Sequence, residues 1–195
     1  MTVQQAHSPE LVWSIYKALS EQCEHFNGLE SSYRTLASTW LLAAFAGMGF
    51  VLKEIHTGQQ LLLVAGIAAV AAIGILLLWL LDQMVYHRLL SAAFAEQLAL
   101  ERQHAWLPQV AHRMMQAHGN TGVTSKVVWF YVATYALLAA IASFTAVLGF
   151  MPTASLALQL GSSVGCFIVF GASVALYMWW GAIAQNSERV ELEKG

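Results

Sequence analysis

Four long apolar stretches separate the polar segments of this chain. The first runs from about Leu36 to Leu52, and the second runs from Leu61 to Leu81. From Val127 to Ser187 there is no Asp, Glu, Lys, Arg or His, and Pro152 divides this stretch into two parts. A helix needs about 20 apolar residues to cross a bilayer core about 30 Å thick, and it satisfies its own backbone polar groups there. The pattern therefore predicts four transmembrane helices, at residues 35–53, 61–82, 127–151 and 155–184.

The polar segment 1–34 predicts an amphipathic helix. Ser8-Pro9-Glu10 is a typical helix start, with a capping residue, a proline and an acid in the first turn. Asn27-Gly28 is a candidate kink or end of this helix. We expect the helix to pack on the protein's own cytoplasmic helices, with a position on the membrane surface as the alternative, although its polar face is acidic. The apolar stripe that would form this contact has alternating four and three spacing: Val12, Tyr16, Leu19, Cys23 and Phe26.

The middle segment 83–126 predicts a helical extension of the second span. No helix breaker follows the span, so the helix should continue to Trp106, and Pro108 lies just beyond. At 1.5 Å per residue this helix would be about 69 Å long, so about half of it would lie outside the hydrocarbon. A short helix from about Val110 to Ala117 and a turn at His118–Gly122 should follow. The edge expected to meet the N-terminal helix is formed by Tyr86, Leu90, Phe94 and Leu98.

Composition and charge agree with a membrane location. Hydrophobic residues make up 58% and charged residues 10% of the chain, against about 25% charged in soluble domains. The net charge of −2 offers no electrostatic footprint for nucleic acid, so no direct nucleic-acid binding is expected. Among the lysines and arginines, only Lys53 lies in a loop between the first and second or the third and fourth spans. Both termini, including the tail 185–195, and the middle segment are therefore predicted to be cytoplasmic, at a bacterial inner membrane.

The densest polar group lies where the second span should leave the membrane. It comprises Asp82, Tyr86, His87 and Arg88, and ionisable residues at this depth are candidates for function. The favoured interpretation is structural, with Asp82 accepting a hydrogen bond from a tyrosine hydroxyl of its own or a neighbouring helix. Catalysis is the alternative.

A second candidate, Glu101-x-x-His104, has the i, i+3 spacing of carboxylate-bridged metal sites. Such sites need that motif twice together with two further acids, and it occurs once here. A solvated helix face explains the same residues, so no cofactor is predicted. No phosphate-binding loop, nucleophile elbow or paired CxxC is visible. An enzyme is therefore not indicated, although a membrane enzyme using Asp82, Glu101 and His104 remains an alternative.

Small residues mark two smooth helix faces in the spans. Gly161-x-x-x-Gly165, and Gly66 with Gly74, would allow close helix approach within one subunit or between subunits. The uncharged third and fourth spans argue against an ion-coupled transporter. Any pathway would then lie between subunits of a homo-oligomer, and a small channel or transporter is an alternative function. The residues predicted to share one face of the fourth span, as a possible polar pathway, are Gln159, Ser162, Cys166 and Ser173.

Residues 10–106 resemble a known layout. SSYRTLASTWLLAAFAGMGFVL is followed by a second span that runs into LLWLLDQMVYHRLLSAAFAEQLALERQHAWLP. This resembles SLATT-type bacterial defence effectors, which have a polar helix, two spans and a helical cytoplasmic extension, although this chain adds a third and a fourth span. The length and the four spans also resemble the membrane subunit of the Kiwa anti-phage system. The resemblance implies a membrane component that oligomerises and senses or perturbs the inner membrane with a cytosolic partner.

Overall fold

The computed structural model describes residues 8–54, 59–118 and 123–180, and all regular structure in these ranges is helical. Four of the helices are long and apolar enough to cross a membrane, which confirms the predicted all-helical class with four apolar helices. The predicted turn after residue 118 and the tail 185–195 lie outside the described residues. The helices are α1 (Pro9–Glu54), α2 (Gln60–Gln103), α3 (Val110–His118), α4 (Val123–Phe150) and α5 (Leu156–Trp180).

The start of α1 confirms the predicted cap. The hydroxyl oxygen of Ser8 accepts a hydrogen bond from the backbone N–H of Leu11 at 3.3 Å. α1 does not end at Asn27-Gly28, one of the two outcomes predicted there, because it continues through both residues as a 46-residue helix. A single glycine costs a helix only about 1 kcal/mol relative to alanine, and a helix of this length tolerates it. The extension of the second span is slightly shorter than predicted, because α2 ends at Gln103 rather than at Trp106.

Two helices contain a short π-helical segment, which the sequence pattern does not predict. In α2 the segment is Leu80–Tyr86, and in α5 it is Phe167–Ala172. A π-helical turn holds more residues than an α-helical turn, so it changes which positions share a face. In α2 the consequence is that Asp82 and Gln83 are both fully buried, although they are consecutive.

The chain divides into two compact units, and the first consists of Met1–Arg34 and Leu81–Gly122. Its apolar core contains Val12, Tyr16 and Leu107, with Leu100 packed against them. The N-terminal stripe therefore faces inward as predicted, since its remaining members are partly buried. The buried face of α2 in this unit is shifted relative to the edge predicted at Tyr86, Leu90, Phe94 and Leu98. Its buried residues are Ala93, Gln97, Leu98 and Glu101.

The second unit consists of Thr35–Leu80 and Val123–Gly195, and the contact between α2 and α4 dominates it. The buried positions on both helices recur every three or four residues, which is the period of a helix–helix seam. Alanines on α2 let the two backbones approach closely. The buried stripe of α2 is Val64, Ala68, Ala71, Ile75 and Trp79, and that of α4 is Val128, Tyr131, Tyr135 and Leu138.

The glycines of the two predicted smooth helix faces differ in how closely other atoms approach them. Gly74 lies tightly against the indole of Trp40, whose Nε1 donates to the backbone oxygen of Ala71 at 3.2 Å. At Gly66, Gly161 and Gly165 an added Cβ would meet no atom within 4 Å. Gly74 therefore serves packing within the chain, and the other three glycines face outward.

We expect Gly74→Val to destabilise the protein by about 1–3 kcal/mol, the usual cost of overpacking. The new side chain would displace the Trp40 indole from the Ala71 oxygen. Thermal unfolding of purified protein in detergent measures the effect. Gly66→Val is the matched control on the same helix, because it enters open space. Equal melting temperatures for the two variants would contradict the tight contact.

Candidate functional site

The first unit holds a cluster of four charged or ionisable side chains, Glu30, Arg34, Asp82 and His87, which we call the ion-pair cluster. Arg34 Nη2 lies 2.6 Å from Glu30 Oε2, and Arg34 Nε lies 3.4 Å from Asp82 Oδ2. His87 Nδ1 lies 3.1 Å from the other oxygen of Glu30. Gln83 Nε2 donates to Asp82 Oδ2 at 3.3 Å. The two carboxylates therefore share the Arg34 guanidinium.

Helix geometry explains why these residues meet. Glu30 and Arg34 are four residues apart on α1, so they lie on one face. Asp82 and His87 are five residues apart, which in an α-helix would place them about 140° from each other around the axis. The π-helical segment Leu80–Tyr86 has i→i+5 hydrogen bonds instead, and it brings residues five apart to the same side. The cluster therefore depends on the local π-helical form of α2.

The charged side chains of this cluster are largely buried, which strengthens the electrostatic interactions among them. The side chain of Asp82 is 0% exposed, that of Glu30 is nearly as buried, and that of Arg34 is about one-third exposed. Glu30 lies just before the predicted first span. Burial acts to raise the pKa of Glu30, but the hydrogen bond and charge of His87 and the charge of Arg34 outweigh it, so the pKa is lowered. Glu30 is thus held in its charged form.

The structure changes the partners that the sequence predicted for this region. Asp82 is a hydrogen-bond acceptor as expected, but its donors include Arg34 and Gln83. The Tyr86 hydroxyl lies 3.4 Å from the hydroxyl of Tyr33, with their rings stacked. Arg88, the remaining member of the predicted group, is exposed.

Sequence reasoning missed Glu30 and Arg34 as functional candidates. An acid and a base four residues apart, immediately before an apolar stretch, were the available signal. That spacing is common on exposed helices, where such a pair contributes little. The burial of Glu30 and the contacts with Asp82 and His87, far along the chain, distinguish this pair from an ordinary surface pair.

A second polar site in the first unit is centred on Glu101. Its carboxylate accepts hydrogen bonds from the backbone N–H groups of Ala111 and His112 at 2.9 and 3.0 Å. The Tyr16 hydroxyl donates to it at 3.1 Å, and His112 Nδ1 lies at 3.2 Å. Ala111 and His112 are in the first turn of α3, where backbone N–H groups lack partners within the helix and attract negative charge. Glu101 therefore caps α3 from another helix.

The pKa of Glu101 follows from this capping. Burial acts to raise it, but the hydrogen bonds from Ala111, His112 and Tyr16 outweigh burial and lower it below the ordinary glutamate value. The residue lies outside the apolar stretch of α2. Its charged form is what stabilises the start of α3.

The predicted pairing of Glu101 with His104 is not formed as a metal site among the described residues. His104 follows the end of α2, and its ring packs near Trp106 with a centroid distance of 6.2 Å. No group of three or more His, Cys, Asp or Glu side chains in the described ranges could hold a metal ion. Asp82 and Glu101 are 19 residues apart on one helix, or roughly 28 Å. These two carboxylates therefore belong to two separate sites within one chain.

The residues predicted to share a polar face of the fourth span differ in how deeply they are buried. Gln159 is buried and donates through Nε2 to the backbone oxygen of Met151 at 2.7 Å. Cys166 and Ser173 are exposed, and Ser162 is partly buried. The buried polar neighbour of Gln159 is Ser163. Gln159, Ser162 and Cys166 lie in the α-helical part of α5, whereas Ser173 follows the π-helical segment, which changes its position around the helix axis relative to the other three.

Comparisons with protein-family models, curated proteins and solved structures found no match to this chain. The functional interpretation therefore depends on the chain's own residues. Two features need explaining: a buried ion-pair cluster at a π-helical turn, and four helices of transmembrane length.

We expect Arg34→Gln to destabilise the protein by about 3 kcal/mol, because removing one partner of a buried pair leaves its carboxylates uncompensated. Asp82→Asn should destabilise the protein less than Arg34→Gln. The double variant should lose less stability than the two single variants lose together, since the two groups share one interaction. Thermal unfolding in detergent measures all three variants. Lys17→Gln is the control, because it breaks the exposed Lys17–Glu21 pair and should change little. Strictly additive losses would contradict a direct Arg34–Asp82 interaction.

We expect Glu101→Gln to lower stability near neutral pH by about 1.5–3 kcal/mol, the range for hydrogen bonds to charged groups. Because folding lowers the Glu101 pKa, its stabilisation is present above the ordinary value of about 4.3 and is lost as pH falls through the folded-state pKa. The difference in melting temperature between the two proteins should therefore shrink at acid pH. Glu96→Gln, exposed on the same helix, is the control. A difference that does not change with pH would count against the capping role.

Proposed function

We propose that the chain is an integral protein of a bacterial inner membrane that acts as a homo-oligomeric sensor or pore-type effector. In this proposal the first unit is cytoplasmic and exchanges a signal with a cytosolic protein partner. The observation that carries the proposal is the ion-pair cluster at the π-helical turn of α2. The four apolar helices support the membrane location.

The cluster has the properties of an element with two states. A buried ion pair contributes little net stability, yet breaking it by removing one partner is costly. If the π-helical turn relaxed to an α-helical one, Asp82 and His87 would separate around the helix axis, and the cluster would open. A ligand or partner that binds the two forms unequally would shift their populations. The cluster therefore couples the helical form of α2 to its charge pairing.

The continuity of two helices supports signal transfer. Both α1 and α2 contribute residues to each of the two units, and neither helix is interrupted. A change in the turn of α2 at Leu80–Tyr86 would then rotate the residues on one side of that turn relative to those on the other. This is the kind of discrete rearrangement that switching proteins use.

The outward surface of α5 supports the homo-oligomer. Only 11% of the most apolar stretch of α5 is buried, against 33% of the corresponding stretches of α2 and of α4. Gly161 and Gly165 lie on its outward surface with no neighbouring atom within 4 Å of an added Cβ. Small residues at such positions allow helices of two subunits to approach closely in lipid.

Expression with a membrane-potential dye tests the pore version of the proposal. Asp82→Asn weakens the cluster and should shift the population toward the open form, so it should depolarise cells at an expression level at which wild type does not. Lys17→Gln should behave as wild type. A pore would be ruled out if wild type and Asp82→Asn both kept normal membrane potential and viability at every expression level and under every trigger tried. A single-chain mass in detergent would contradict the homo-oligomer.

A further inference from the structure

We propose that α3 is a switch element, which detaches from α2 and unfolds as a unit while the rest of the first unit stays folded. Gln109, the residue just before α3, is its hinge, and the Glu101 carboxylate holds it in the docked form. All of these groups lie within the first unit, so the switch does not depend on membrane insertion. Three observations point to it: the contacts that dock α3, the backbone conformation of Gln109 and the length of the helix.

Polar contacts to a single carboxylate dock α3. The two Glu101 oxygens accept hydrogen bonds from the backbone N–H groups of Ala111 and His112 at 2.9 and 3.0 Å, and His112 Nδ1 lies 3.2 Å from Oε2. Among the α3 side chains that the structure describes, only Ala111 is buried, whereas Val110 is 43% and Met114 is 50% exposed. Because apolar stabilisation scales with the area buried, the docking of α3 depends more on Glu101 than on this small side chain.

In the docked form Glu101 joins three helices. Its side chain is 0% exposed, and the Tyr16 hydroxyl of α1 also donates to it, at 3.1 Å. A small displacement of α3 would leave a buried carboxylate without donors, which is costly. When the whole helix detaches, water reaches the carboxylate and replaces the N–H groups of Ala111 and His112. Full detachment therefore costs less free energy than a partial one, so α3 has two states rather than a range of positions.

The backbone of Gln109 is strained. Its φ of 55° lies in the left-handed region, which residues other than glycine rarely adopt. The Gln109 side chain helps to hold this conformation, because Nε2 donates to the backbone oxygens of Glu101 at 3.0 Å and His104 at 3.4 Å. Strain of this kind persists only where the surrounding structure holds it. Detachment of α3 releases Gln109 from this conformation, so the strain favours the detached form.

The length of α3 makes its detachment an unfolding event. The helix has 9 residues, and isolated helices shorter than about 12–15 residues are marginal in water. It lies in the segment that joins α2 to α4. These 9 residues span about 14 Å as a helix and up to about 30 Å when extended. Unfolding of α3 therefore slackens the connection between α2 and α4, and order–disorder transitions of this kind are used by switching proteins.

Hydrogen exchange of the full-length protein in detergent, followed by mass spectrometry, tests the switch. Residues 112–116 report on α3, and residues 93–98 report on α2 in the same unit. Where exchange measures the equilibrium of opening, 112–116 should exchange about tenfold faster than 93–98 or more in the wild type. Glu101→Gln should speed exchange of 112–116 by a further factor of about ten. Arg34→Gln weakens the ion-pair cluster, which the docked and detached forms share. It should therefore speed exchange of 93–98 and leave 112–116 within about twofold of wild type.

A pair of variants at one position tests the hinge. Gln109→Ala and Gln109→Gly both remove the side-chain hydrogen bonds, but only glycine adopts a φ of 55° without strain. We expect 112–116 to exchange about fivefold faster in Gln109→Ala than in Gln109→Gly. This is the reverse of the order inside a helix, where alanine is the more stabilising residue.

Three results would overturn the switch. Equal acceleration of both segments in Arg34→Gln would show that α3 opens only together with the rest of the unit. Unchanged exchange of 112–116 in Glu101→Gln would show that the carboxylate does not hold α3. Exchange that is no faster in Gln109→Ala than in Gln109→Gly would contradict a strained hinge. Arg34→Gln and the two Gln109 variants decide the question even if Glu101→Gln does not fold.

Discussion

The fully buried carboxylate of Asp82 is the constraint on which the first unit depends. An isolated buried charge costs far more free energy than a protein can spare, so it must be paired. Arg34 provides that pairing, and its second partner, Glu30, is in turn held by His87. The relative register of α1 and α2 in this unit is therefore specified by charge as well as by apolar packing. A shift of either helix by one residue would break several of these contacts together.

The second unit is stabilised in a different way. Alanines on α2 meet a stripe of larger side chains on α4, so packing and close approach replace charge pairing. The same logic explains the contrast between two glycines of α2. Gly74 accommodates the Trp40 indole, whereas Gly66 has no close neighbour. Outward glycines of this kind leave open space on the helix surface.

Much of the helical layout was predictable, because it follows from local sequence. The apolar stretches, the Ser8 cap and the stripe from Val12 to Phe26 each use a period or a spacing within one helix. The π-helical turns were not predictable in this way, since their sequences also suit an α-helix. The Arg34–Asp82 pair was missed for a second reason. Its partners are 48 residues apart, and nothing local identifies which base a buried acid will contact.

The position of Ser173 on the polar face predicted for the fourth span is affected in a related way. A helical wheel assumes a constant 100° per residue, and that assumption does not hold through Phe167–Ala172. Gln159 also donates to the backbone oxygen of Met151, directly after the end of α4, so its amide has a structural role. Most of the ion pairs among the described residues lie in the first unit. Hydrophobic burial is non-directional, whereas a charge cluster has discrete pairings, and this is why the proposed signal is assigned to the first unit.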